Sequence, residues 1–142
     1  MNGPKLSVAD YPLAEKRPEL VKGKRGKGLT EITLEALQAG HVTLEDLSIT
    51  KSALHQQAEI AHDAGRATLA RNFERAAGLV DVPQDTIMHI YELLRPGRAG
   101  SKDELLQAAN DLKETYGATA MAKFVAEAAD FYERRGLFRR RY

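Results

Sequence analysis

The chain has 142 residues, a length that suits one domain, with 43% apolar and 29% charged side chains, as in ordinary globular proteins and unlike disordered ones. It contains no cysteine, which excludes disulfides and thiolate-bound metal, and no window approaches the roughly 20 apolar residues of a membrane span or the apolar run of a signal peptide. The net charge of +1 conceals an uneven spread: residues 1–30 carry seven basic and three acidic side chains, residues 31–133 nine basic and seventeen acidic, and residues 134–142 five arginines and no acid. An acidic body with basic ends suits either an RNA or an acidic neighbouring subunit.

Residues 1–30 read as an irregular, extended basic arm, and residues 31–142 as one helical domain. Pro4, Pro12 and Pro18 interrupt any helix in the arm, and Gly23, Gly26 and Gly28 loosen its last third. Tyr11, Pro12 and Leu13 form a small apolar cluster, which either anchors the arm on another surface or covers the chain's own core. Thr33 is placed to cap a short helix, Leu34 to Ala39, closed by Gly40. Thr43 with Asp46 resembles a further cap, opening a turn around Leu44 and Leu47. Thr50 starts a long segment whose apolar residues, Leu54, Ala58 and Ala61 and then Leu69, Phe73, Ala76 and Val80, recur at helical spacing, with Gly65 bending or splitting it.

Pro83 suits the first turn of the next helix, along which Ile87, Ile90, Tyr91 and Leu94 recur at i, i+3, i+4 and i+7 until Pro96 and Gly97 end it. Ser101 and Glu104 have the spacing of a capping box. The helix they open carries Leu105, Ala108, Ala109, Leu112 and Tyr116 and ends at Gly117. A last helix carries Met121, Phe124, Val125, Ala128, Phe131 and Tyr132 and ends at Gly136. No segment alternates as a strand does, so the expected fold class is all-α, a compact multi-helix subunit with an irregular N-terminal arm. Many apolar positions are alanine, which buries little area, so some of these faces are expected to find their partners on another chain.

Candidate chemistry is sparse. His55 and His62 lie seven residues apart, too far along a helix to share a metal, and no H-E-x-x-H pattern occurs, so His41, His55, His62 and His89 read as structural. His62 and Asp63 are adjacent and do not face each other on a helix. Glu74 can pair with Arg71. The run Gly23 to Gly28, GKRGKG, misses the phosphate-loop spacing and comes after no strand, and reads as a solvated basic linker. At the C-terminus, Leu137, Phe138 and Tyr142 surround Arg139, Arg140 and Arg141, a segment suited to an RNA, an anionic surface or a neighbouring subunit. The sequence offers no catalytic, cofactor-binding or metal-binding set.

The stretch LARNFERAAGLVDVPQDTIMHIYELLRPGR, from Leu69 to Arg98, resembles the small subunit of coenzyme-B12-dependent diol and glycerol dehydratases. Asp10 to Ala14, DYPLA, resembles that family's D-Y-P-L-A, and Leu29 to Glu35, LTEITLE, its L-T-D-I-T-L-E. Gln57 to Ala61, Glu104 to Leu106 and Phe124 to Glu127 fit as well, so the likeness runs from about Asp10 to Gly136. It implies a heterohexamer of two large, two medium and two small subunits, attended by a reactivating factor. It also implies adenosylcobalamin and a metal ion held by the other subunits, neither bound by this chain alone. In that family the large subunit is a TIM barrel, and homolysis of the Co–C bond starts a radical dehydration of propane-1,2-diol or glycerol to an aldehyde. The catalytic residues belong to the large subunit, and none is carried onto this chain. Gly78 stands where the family has glutamate, and Gly97 where an aromatic follows R-P. Asp63 to Arg66, DAGR, leans toward the diol branch. The implied location is cytoplasmic, with a bacterial microcompartment as the second possibility, since the chain begins close to DYPLA without the long N-terminal extension of some diol dehydratase small subunits.

The expectation is therefore a non-catalytic, all-α dehydratase subunit that binds neither nucleic acid nor membrane. Tyr11, Pro12, Leu13, Arg95 and Pro96 are its expected partner contacts. The competing reading is a small, basic-ended helical RNA-binding or ribosome-associated protein.

Overall fold

The computed structural model describes residues 4–138; Arg139, Arg140, Arg141 and Tyr142 of the basic C-terminal run lie outside them. Among the described residues the chain forms seven α-helices and no strand, the all-α class expected from its periodicity. They are α1 (Leu13–Lys16), α2 (Leu34–Gln38), α3 (Lys51–Asp63), α4 (Ala67–Leu79), α5 (Gln84–Leu94), α6 (Lys102–Glu114) and α7 (Thr119–Arg134). The chain divides into two compact units, one ending at Val80 and the other starting at Asp81. None of the described helices is long and apolar enough to cross a membrane.

The first unit centres on the α3–α4 hairpin. Thr50 caps α3, its Oγ1 accepting from the Ala53 amide at 3.0 Å. Gly65 splits the long segment: its φ of +72° is a left-handed conformation open to glycine, and α4 begins two residues later. On α3 the expected face is observed, with Leu54, Ala58 and Ala61 buried. On α4 the buried face is shifted from the expected one. Ala70 and Ala77 point inward, Phe73 packs against Ala58, Ala61 and Ala70, and Leu69 stays exposed. Small side chains explain the shift. Alanines on both helices let the two backbones approach closely, where a leucine would hold them apart.

The second unit is built on α6 and α7, which run antiparallel: Lys102 at the start of α6 pairs with Asp130 at 2.9 Å and Glu133 at 2.7 Å near the end of α7. Hydrogen bonding from Glu133 and then Asp130 raises the Lys102 ammonium pKa, and the same lysine lowers that of Asp130. Ser101 caps α6 through Oγ at 3.4 Å from the Glu104 amide. The Glu104 carboxylate accepts from the Gly100 amide at 2.8 Å, one residue before the position the capping-box pattern predicts. Leu105, Ala108, Ala109 and Leu112 are buried as expected.

On α7 the buried stripe is Ala122, Val125 and Ala129, while Phe124 and Phe131, expected inside, lie outward. Tyr132 does turn inward and donates its hydroxyl hydrogen to the Leu94 carbonyl at the end of α5. On α5, Ile90 is buried but Tyr91, expected on the same face, is 59% exposed. The helix ends at an extended Arg95, and Gly97, with φ +81°, suits the turn that follows, in which the Arg98 amide donates to the Arg95 carbonyl at 3.0 Å.

Candidate partner-binding surface

The arm is fastened to α3 by side chains and backbone together. Leu6 and Leu13 are buried against Ile60, with Leu20 and Val21 packed alongside. Two carboxylates one helical turn apart on α3 hold the arm's backbone: Glu59 Oε2 accepts from the Leu6 amide at 2.9 Å, and Asp63 Oδ2 from the Val8 amide at 2.8 Å. Asp10 accepts from the Ser7 amide at 2.9 Å and from Arg17 Nη1 at 3.0 Å. These two bonds, the Ser7 amide first, hold its carboxyl below the usual aspartate value.

This arrangement separates the apolar cluster read from the sequence. Leu13 supports the surface from beneath, Pro12 is half-buried, and Tyr11 is exposed. Tyr11 borders a cavity of about 230 Å³ that Val8, Ala64, Arg66, Leu69 and Phe73 also line. Arg95 and Pro96 belong to the second unit and are both exposed; Arg95 Nη1 lies 3.2 Å from Glu92 Oε1.

The glycine-rich basic run differs from a solvated linker. Lys22 and Gly28 form an isolated antiparallel bridge, and the Gly23 amide donates to the Lys27 carbonyl at 3.0 Å, closing a tight turn. From this turn Arg25 reaches Asp46, the buried acidic residue among those described. Arg25 Nε donates to Asp46 Oδ1 at 2.8 Å, Nη2 donates to Oδ2, and Nη2 also donates to the His41 carbonyl at 3.0 Å. Asp46 Oδ2 accepts in addition from the Thr43 amide at 2.8 Å, as the capping spacing foretells. The Arg25 guanidinium is the main reason that the Asp46 carboxyl is lowered to about 2 from 3.8, against the opposing effect of burial. Gly23 completes the clamp, because a Cβ there would stand 2.1 Å from the Asp46 carbonyl oxygen.

The clamp shapes a segment that the sequence does not mark as special. Leu29, Leu34, Leu37, Leu44, Leu47 and Ile49 are all exposed, Leu44 by 82% and Leu34 by 67%. Leu34 and Leu37 are i and i+3 on α2, and Leu44 and Leu47 are i and i+3 on the 3₁₀ turn Leu44–Leu47. In each turn this spacing places both leucines on one side. Thr33 Oγ1 caps α2 by accepting from the Ala36 amide at 3.1 Å, and Val42 is buried between the two turns in sequence. The signal available in the sequence was the pairing of leucines at i, i+3 in elements too short to have a second face.

One histidine is engaged in a structural pair. His62 Nε2 lies 2.9 Å from Glu74 Oε1, joining α3 to α4, so Glu74 reaches across the hairpin and not to Arg71, which donates to Thr68 Oγ1 at 3.2 Å. All four histidines are exposed, and no group of three or more His, Asp or Glu among the described residues could hold a metal ion.

Helical hairpins, carboxylates bonded to backbone amides and a clamped segment with exposed leucines give this chain surface to offer and no reacting group among the described residues. Residues 6–139 match the family model described as dehydratase small subunit. Over 128 residues the chain is 52% identical to the propanediol dehydratase small subunit of Citrobacter freundii, covering 90% of this chain and 74% of that protein. It is likewise 52% identical to the propanediol dehydratase small subunit of Salmonella typhimurium strain LT2, covering 90% of this chain and 73% of that one. The chain belongs to the dehydratase small subunit family, and as a small subunit it works beside larger ones.

Proposed function

We propose that this chain is the small, non-catalytic subunit of an adenosylcobalamin-dependent diol dehydratase, a lyase that turns propane-1,2-diol, with glycerol as a second substrate, into an aldehyde and water. The observation that carries the reading is the 52% identity, across 90% of the chain, to two proteins named propanediol dehydratase small subunit. Its partners are then a large and a medium subunit, two of each joining two copies of this chain, with a reactivating factor acting on the whole. The complex works in the cytoplasm or within a microcompartment.

The metal ion and the cobalamin fall to the larger subunits. The His, Asp and Glu side chains described here do not gather into a metal site, and no chemical step is assigned to them. What this chain supplies is surface for its partners, on each of its two units. Tyr11, Pro12, Arg95 and Pro96 are proposed contacts, since exposed aromatic and arginine side chains are the residues that most often anchor an interface. Leu13 acts from below, holding the arm to Ile60.

The test is reconstitution. The chain expressed alone is expected to leave propane-1,2-diol unchanged. Expressed with the cognate large and medium subunits, it is expected to elute in one complex that forms aldehyde only when adenosylcobalamin is added. A chain that remains a lone monomer in the presence of both larger subunits overturns the reading.

A further inference from the structure

We infer that the clamped segment from Leu29 to Ile49 is the surface through which this chain docks on a larger dehydratase subunit. The inference rests on the reading of the chain as a dehydratase small subunit and specifies where that subunit attaches. Six large apolar side chains are exposed between Leu29 and Ile49, a concentration in sequence unlike the single exposed apolar residues of an ordinary surface. Two pairs, Leu34 with Leu37 and Leu44 with Leu47, sit at i, i+3 on short turns whose helical shape is fixed at their N-terminal ends by Thr33 and by Asp46.

The segment is held in place without its leucines. Arg25 bridges Asp46 and the His41 carbonyl, Gly23 lies against the Asp46 backbone and Val42 is buried, so these groups hold the local fold and the leucines remain available. A preformed surface of this kind binds without first having to be ordered.

The occupant is a face of a larger subunit, because the chain belongs to a family of small subunits that work beside larger ones. From Leu29 to Ile49 the exposed charges are acidic, at Glu31, Glu35 and Glu45, while the turn that clamps the segment adds Lys22, Lys24, Arg25 and Lys27. Exposed leucines with a rim of both signs suit an apolar patch on the larger subunit that is itself rimmed by charged side chains, the arrangement in which a dry centre supplies affinity and rim charges set partner and register.

The experiment uses the tagged full-length chain with the cognate larger subunits. Hydrogen exchange of residues 29–49 is compared between the chain alone and the complex, and retention of the larger subunits is compared between wild type and a Leu34→Glu, Leu37→Glu, Leu44→Glu, Leu47→Glu variant. Slower exchange across 29–49 in the complex, with at least tenfold weaker retention by the variant at an unchanged melting temperature, is the expected result. If wild type retains the larger subunits but residues 29–49 exchange equally fast in both states, the docking surface lies elsewhere and the inference is overturned while the dehydratase reading stands. If the wild-type chain alone forms a dimer that the variant loses, and residues 29–49 gain no protection in the complex, a second copy is the occupant and the inference is likewise overturned. A wild-type chain that fails to retain the larger subunits at all refutes the underlying reading instead.

Discussion

The α6–α7 hairpin and the segment from Leu29 to Ile49 use the same kind of residue in opposite ways. In the hairpin, Leu105, Leu112 and Val125 are wholly buried, and the fold is held by apolar packing. In the segment the large apolar residues face outward, and the fold is held by Arg25, Asp46, Gly23 and two threonine-led turns. Burying a leucine side chain contributes about 1.5–3 kcal/mol, so the hairpin has already gained that energy within the chain. The segment gains it only when something covers it. The contrast separates residues that stabilise the subunit from residues that serve its assembly.

The largest expected effect tests the hairpin half of that contrast. Leu105→Ala is expected to destabilise the isolated chain by about 2–5 kcal/mol, as a cavity in a closed core does. Leu44→Ala, the same change on the segment, is expected to stay within about 0.5 kcal/mol of wild type. Urea unfolding of both variants measures the difference, and comparable losses would erase the distinction between the two regions.

The next effect tests the clamp. Gly23→Ala places a methyl group against the Asp46 carbonyl and is expected to cost about 1–3 kcal/mol, with faster amide exchange concentrated in residues 41–47. Normal exchange there would mean that the turn yields without disturbing the leucine pairs.

Acid titration reads the same clamp from its charge. The Asp46 carboxyl is held at about 2 in the folded chain against an ordinary 3.8, so the unfolded chain takes up that proton more readily. The stabilisation is therefore complete above about pH 4 and disappears as the pH falls towards about 2. Arg25→Met removes the main cause of the shift. The stability gap between wild type and Arg25→Met is expected to be constant between about pH 5 and 8 and to close between about pH 4 and 2. A gap that keeps its full size at about pH 2 would show that Arg25 acts through the His41 carbonyl or through packing and not through the carboxylate.

Helix starts and stops were the most legible part of the sequence, because they depend on local chemistry. Thr33, Thr50, Pro83 and Ser101 open helices, and Gly65, Gly117 and Gly136 adopt the positive φ that closes them. Which apolar residues face inward was less legible. The alanine-rich faces, read as short of partners, close on each other within α3 and α4, and it is leucines that remain outside. Periodicity gives a helix face but not how near the neighbouring backbone comes, and small residues decide that. On α7 the same effect turns Ala122 and Ala129 inward in place of Phe124 and Phe131. The Arg25–Asp46 clamp joins residues far apart in the chain, so no local pattern in GKRGKG announces it. Of the contact residues read from the sequence, Tyr11, Arg95 and Pro96 are exposed, while Leu13 lies in the chain's own core, a difference that composition could not reveal.

The smallest expected effect is that of Tyr91, one of two aromatic residues that periodicity places alike. Phe73 packs against Ala58, Ala61 and Ala70 and is partly buried, whereas Tyr91 is 59% exposed on α5. Phe73→Ala should destabilise the isolated chain by roughly 2–3 kcal/mol, less than the ~3–5 kcal/mol of a fully buried aromatic. Tyr91→Ala should fall within about 0.5 kcal/mol of wild type, because water already covers most of its ring. Tyrosine that is exposed in the free chain anchors an interface more often than it supports a core, so the Tyr91 variant is informative only when the two measurements are made side by side. Thermal melting of the isolated chain and the yield of complex with the larger subunits are the two readouts. Equal melting with reduced yield assigns Tyr91 to assembly, alongside the leucines of the clamped segment. A loss of melting temperature matching that of Phe73→Ala would instead return Tyr91 to the fold of its own unit.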